Sequence, residues 1–134
     1  MIVETVFALI YVVAAGLLLW SRGTLNSFVE ETRRIRDSSA MERFKALART
    51  QMHLALLMAG LLTSGMVVGF VLVSRYGLAG LGVVVLTNLV VVGLAVLNKK
   101  VEARVRNLPT ASDDLARELQ RVSESWEKKA LPDF

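Results

Sequence analysis

Apolar positions fall along this chain in three long uncharged blocks, and the charged positions lie almost wholly between and after them. Leu54 to Val73 and Leu78 to Leu97 each run for twenty residues without Asp, Glu, Lys or Arg. As helices rising about 1.5 Å per residue, such runs measure about 30 Å, the thickness of a bilayer's hydrocarbon core. A spanning strand needs about half that length, and neither run alternates apolar with polar positions, so helices are expected. Thr5 to Trp20 forms a third run of sixteen residues, which Ile2, Val3 and Ser21 extend toward spanning length. It does not read as a cleaved signal peptide: Glu4 is its only early charge, and it has neither a basic leading segment nor an A-x-A site.

The segments between and after these runs carry helix punctuation. Ser27 with Glu30, and Ser39 with Glu42, each fit the S-x-x-E capping box. The first predicts a short helix over residues 28 to 37 with Phe28, Thr32 and Ile35 on one face. The second predicts a helix from about Ala40 that runs straight into the second span and ends near Val73, with Phe44, Leu47 and Ala48 on an apolar side. After the third span, Val101, Val105 and Leu108 recur at i, i+4 and i+7, so that helix should leave the membrane intact until Pro109 stops it. Thr110 or Ser112 can cap a further helix whose first turn holds Asp113 and Asp114, favourable at the positive end of the dipole. Leu115, Leu119, Val122 and Trp126 then form one apolar stripe. The same stripe suits packing on the chain's own loop helices or docking to another subunit.

Composition supports a membrane protein, with 54% hydrophobic residues in 134 and a mean hydropathy of +0.50. The formal charge of +4 matters less than its placement. Residues 21 to 53 hold Arg22, Arg33, Arg34, Arg36, Arg43, Lys45 and Arg49. The tail holds Lys99, Lys100, Arg104, Arg106, Arg117, Arg121, Lys128 and Lys129. Only Arg75 falls on the other side, and the positive-inside rule then makes the basic side cytoplasmic. The expected architecture is an all-α membrane protein with three transmembrane helices, N-terminus outside and C-terminus in the cytoplasm. Amphipathic helices lie between spans 1 and 2 and at the C-terminus. In segments, 1–21 is the first transmembrane helix, 22–53 a cytoplasmic helical loop, 54–98 a transmembrane hairpin and 99–134 a cytoplasmic helical tail.

Candidate chemistry is sparse. The chain has no cysteine and one histidine. His53, at the mouth of the second span, has no second His or Cys to share a metal, so no metal, cofactor or catalytic residue is assigned. "GLAGLG" (77 to 82) marks a membrane boundary and lacks the pattern of a nucleotide loop. The charge-free cores contain no carboxylate, which argues against a proton relay. The basic collars (Arg43, Lys45 and Arg49; Lys99, Lys100, Arg104 and Arg106) suit anionic lipid headgroups better than nucleic acid. Gly65 and Gly69 form a G-x-x-x-G, with Ala55/Ala59 and Gly60/Ser64 repeating small-x-x-x-small. The simplest use of that spacing is packing the second span on the third within one chain, with a dimer interface as the alternative.

Asn88 stands among valines and leucines, where an unpaired amide costs several kcal/mol by general measure (about 2–7). Counting depth from the turn at Arg75 and Tyr76 sets Asn88 level with Thr63, and Thr87 level with Ser64. Tyr11 is the middle of the first span. A buried cluster of Tyr11, Thr63, Ser64, Thr87 and Asn88 is therefore expected. The functional expectation is a non-catalytic accessory or assembly subunit of a larger membrane complex, with a homo-oligomeric channel or small transporter as the alternative.

Overall fold

A computed structural model describes residues 1–129 together with Leu131 and Pro132. Ala130, Asp133 and Phe134, in the expected tail, lie outside the described residues. The described residues fold into four helices: α1 (Ile2–Glu31), α2 (Ser38–Tyr76), α3 (Leu78–Arg106) and α4 (Asp113–Lys128). The first three are long and apolar enough to cross a membrane. At 39 residues, α2 is about 58 Å long, nearly twice the roughly 30 Å of a bilayer core and so longer than one crossing needs.

Two apolar cores are stacked along these helices. One lies within the apolar runs and joins Phe7, Tyr11, Ala14, Leu18, Met58, Leu72 and Val91. The other lies at the basic end, where Leu25, Phe44, Val105, Val122 and Trp126 meet around Ile35. Phe44 is central to this basic layer. It is fully buried, with Phe28 at a ring distance of 6.2 Å and Trp126 edge-on at 6.0 Å.

The Ser27–Glu30 box does not open a helix, and the short helix expected over 28 to 37 does not form. Instead α1 continues unbroken through Glu31 and stops at Thr32. The reason is tertiary. Leu18, Ser21 and Leu25 continue one buried face beyond the first span, with Phe28 packed against the basic-layer core, and that packing outweighs a local cap. Phe28, Thr32 and Ile35 do turn inward together, the last two buried. Ile35 reaches its place from an extended segment, donating its N–H to Pro109 O (2.8 Å) and accepting from Ala111 N (2.9 Å). This pair of backbone bonds ties the α1–α2 loop to the α3–α4 loop, a contact with no periodic signature.

The second box also yields to a neighbour. Asp37, not Ser39, caps α2, accepting from Ala40 N at 2.9 Å. A carboxylate at Ncap adds charge stabilisation to the hydrogen bond, and Glu42 turns to Lys45 (3.3 Å). The helix then runs without a break into the apolar run, as its sequence suggests. At the far end α3 stops at Arg106, ahead of Pro109, with Val101, Val105 and Leu108 buried. Ser112 caps α4 by accepting from Leu115 N (3.3 Å).

The α2–α3 turn depends on two glycines. Gly77 adopts φ +62°, a left-handed conformation that only glycine takes without strain. Gly80 lets the helices approach so closely that a Cβ there would lie 2.5 Å from Leu72 O. The G-x-x-x-G of α2 serves α1 as much as α3: a Cβ at Gly65 would strike the Tyr11 ring at 2.8 Å, and one at Gly69 would meet Val84 at 3.2 Å and Phe7 at 3.4 Å. At this end Arg75, the isolated cation of the sequence, lies 3.5 Å from Glu4, which also accepts from Tyr76 Oη.

Candidate functional site

Three places in the fold gather polar or unusual surface. The first is mid-bundle. Tyr11, 5% exposed, donates its Oη to Asn88 Oδ1 at 3.1 Å, and the Asn88 amide nitrogen donates to Val84 O at 2.8 Å. Both ends of the amide are thus bonded among hydrocarbon, which removes most of the burial cost. The absence of a side chain at Gly65 makes room for the Tyr11 ring. The structure leaves the other three expected members out of this node. Thr63 donates to Ala59 O (2.8 Å), Ser64 to Gly60 O (2.9 Å) and Thr87 to Val83 O (2.6 Å). A hydroxyl can satisfy itself on the preceding turn of its own helix, so shared depth does not compel it inward. An amide lacks that complete solution, and Asn88 needs Tyr11. A double-mutant cycle of Tyr11→Phe and Asn88→Leu in mild detergent should give a coupling of about 0.6 kcal/mol, and not above about 1.7. Strictly additive effects would show that the bond does not hold the helices.

The second place is the basic layer. Of the expected headgroup collar, Lys45 bonds to Glu118 of α4 and to Glu42, and Arg106 lies 3.4 Å from Glu127 of α4. The bond to Glu118 raises the Lys45 pKa above its ordinary value, outweighing partial burial. These two cations therefore fasten α4 across α2 and α3. Arg43, Lys99, Lys100 and Arg104 are exposed, and Arg49 is half-buried. The stripe on α4 closes the same layer. Leu119, Val122 and Trp126 are buried in its core, with Leu115 packed at the edge, so these side chains are covered by this chain itself.

The third place is a cleft between α2 and α3 where the apolar run meets the basic layer, with a volume of about 510 Å³. Its apolar walls include Met58 and Leu62 of α2 and Val91 of α3; its polar end includes Ser21, Gln51, Asn98, Lys99 and Arg106. Ser21 Oγ donates to Gln51 Oε1 at 2.5 Å, and Asn98 Nδ2 to Leu18 O at 2.9 Å. Gln51 Nε2 and Arg106 Nε are buried with no hydrogen-bond partner among the described residues. Nothing in the sequence singles out Ser21 and Gln51, since each sits at the fringe of an apolar run where polar residues are routine.

Glu102 also lines this cleft. Burial pushes its carboxyl above the usual glutamate range, and Arg106 and Lys99 only partly offset that. Ionised Glu102 therefore costs more folded than unfolded. Its contribution to stability is most favourable below the ordinary value of 4.5 and is lost as pH rises through the raised folded value. Glu102→Gln should unfold at a higher temperature than the parent at about pH 8, with the difference vanishing near pH 4. A constant difference across that range would contradict the assignment to Glu102.

The outward side of α2 differs from its inward side. Gly60, Thr63 and Ser64 are all exposed, and a Cβ built at Gly60 would meet no described atom within 4 Å. His53, also exposed, places Nδ1 2.8 Å from Arg49 O of its own helix. Comparisons with family models, with curated proteins and with solved structures find no match to this chain.

Proposed function

We propose that this chain is a non-catalytic multi-pass membrane subunit that assembles with a larger complex through the outward face of α2. The observation that carries the reading is that α2 has small residues on two sides. Gly65 and Gly69 receive side chains of α1 and α3, whereas Gly60, beside the self-bonded Thr63 and Ser64, receives none among the described residues. In a bilayer no hydrophobic force draws helices together, and small side chains favour association by letting backbones approach. The α4 stripe lies within the chain's own core, which moves the contact from the basic layer to the spans.

Topology follows from charge. Fifteen of the sixteen Lys and Arg side chains lie in residues 21 to 53 and from 98 onward, which supports a cytoplasmic basic layer and an N-terminus outside. A reporter inserted at Tyr76 should then be active outside, and one fused after the last residue inside. The alternative, a homo-oligomeric channel or small transporter, calls for a polar stripe along a span. Against it, Thr63, Ser64 and Thr87 bond to their own helices and Asn88 to Tyr11.

Extraction in a gentle detergent followed by mass analysis tests the reading. The native chain should emerge with a foreign subunit in fixed stoichiometry, and Gly60→Leu should lose that subunit while the chain stays folded in the membrane. A discrete homo-oligomer would support the channel instead, and a monomer from both forms would reject assembly.

A further inference from the structure

The α2–α3 cleft exists because alanines stand where larger residues would close it. Ala55 and Ala59 of α2 and Ala95 of α3 line it. Measured along α2, the eleven steps from Gln51 to Leu62 span roughly 16 Å, about half of a bilayer's hydrocarbon thickness. The cleft is therefore as long as one acyl chain of one leaflet is deep. Its volume of about 510 Å³ falls in the roughly 300–1,000 Å³ range of pockets that take one small-molecule ligand.

The polar end is equally specific. Gln51 is 8% exposed, lines the cleft, and its Nε2 has no partner among the described residues. An orphaned buried donor destabilises the fold unless something accepts from it. Arg106 Nε is in the same condition, and the Lys99 ammonium stands exposed at the rim. Two unmatched donors and a cation, set where the hydrocarbon ends, match the acceptor-rich phosphate of a lipid headgroup. Glu102 and Glu127 share this end, but Glu127 is engaged by Arg106.

We infer that the cleft is a binding site for one phospholipid of the leaflet facing the basic layer, with an acyl chain between α2 and α3 and its phosphate accepting from Gln51 and Arg106 beside Lys99. The site is complete within one chain and does not depend on the partner proposed for the outer face of α2. An anionic headgroup is preferred over a zwitterionic one, since Lys99 meets no compensating choline charge. One cation near such a headgroup is worth on the order of 1 kcal/mol, about a fivefold preference.

The test uses the full chain in vesicles of equal parts phosphatidylglycerol and phosphatidylcholine with identical acyl chains. After release into mild detergent, native mass spectrometry should find one phospholipid per chain, enriched in phosphatidylglycerol by about fivefold. Ala55→Phe and Ala95→Phe fill the cleft and should each abolish retention. Ala8→Phe, an equal enlargement on the exposed side of α1, should retain lipid, and Lys99→Gln should retain lipid without headgroup preference. Retention unchanged by Ala55→Phe and Ala95→Phe, or lost equally in Ala8→Phe, would overturn the site. Equal retention of the two lipids by the parent chain would overturn the headgroup preference assigned to Lys99.

Discussion

Phe44→Ala should unfasten the basic layer, at a cost of about 3–5 kcal/mol. The ring is completely buried and packs against Phe28 of α1 on one side and Trp126 of α4 on another. Truncation removes its own transfer energy and leaves a cavity bounded by long helices that cannot collapse inward. This layer lies outside the apolar runs, where water is the alternative environment, so magnitudes from soluble cores apply. The first visible consequence should be release of α4, since α4 holds to α2 and α3 by Leu119, Val122 and Trp126 and by the Lys45–Glu118 and Arg106–Glu127 pairs. Limited proteolysis should cut between Asn107 and Ser112 in Phe44→Ala at protease levels that leave the parent intact. Phe44→Leu, which keeps most of the volume, should cost much less. Equal resistance of the parent and Phe44→Ala would mean that the three helices do not share a core there.

Gly80→Ala should be the most damaging single-methyl change in the membrane part. A Cβ at this position lies 2.5 Å from Leu72 O and 2.9 Å from Leu72 C. Both obstacles are backbone, so no rotamer change relieves the contact. The helices must separate at the Gly77 turn, and the separation propagates to Gly69, where Val84 and Phe7 fit closely. Overpacking of this kind costs about 1–3 kcal/mol, occasionally more. Gly82 supplies the internal control, because a Cβ there meets no described atom within 4 Å. Gly82→Ala should be neutral, or stabilising by up to about 1 kcal/mol through helix propensity. Thermal unfolding in mild detergent separates the two. Equal midpoints for Gly80→Ala and Gly82→Ala would show that the hairpin is not held at that distance.

The long helices were legible from sequence because charge-free length has one meaning at bilayer scale, and no competing signal interrupts Leu54 to Val73 or Leu78 to Leu97. The cap at Ser112, the stop before Pro109 and the α4 stripe were legible for a related reason: backbone chemistry and amphipathic period agree there. The Ser27–Glu30 box opens no helix because a four-residue motif carries less energy than the packed face of α1. The face of Leu18, Ser21, Leu25 and Phe28 that overrides it emerges only when α1 is seen to extend past its apolar run. Within the polar node, depth brought Tyr11 and Asn88 to the same level. It could not separate Asn88 from Thr63, Ser64 and Thr87, whose hydroxyls find acceptors on their own helices. The bonds of Ile35 to Pro109 and Ala111, and the Gly80 approach to Leu72, join positions whose relation is set only by the folded chain.

Photocrosslinking in intact membranes shows whether the outward face of α2 meets another subunit. A photoreactive side chain would be placed in turn at positions 60 and 67, and at positions 9 and 86 as controls on the exposed sides of α1 and α3. One discrete adduct with the same foreign polypeptide is expected from positions 60 and 67 and none from positions 9 and 86. Lipid adducts alone from all four positions, or an adduct of twice the chain's mass from position 60, would contradict it.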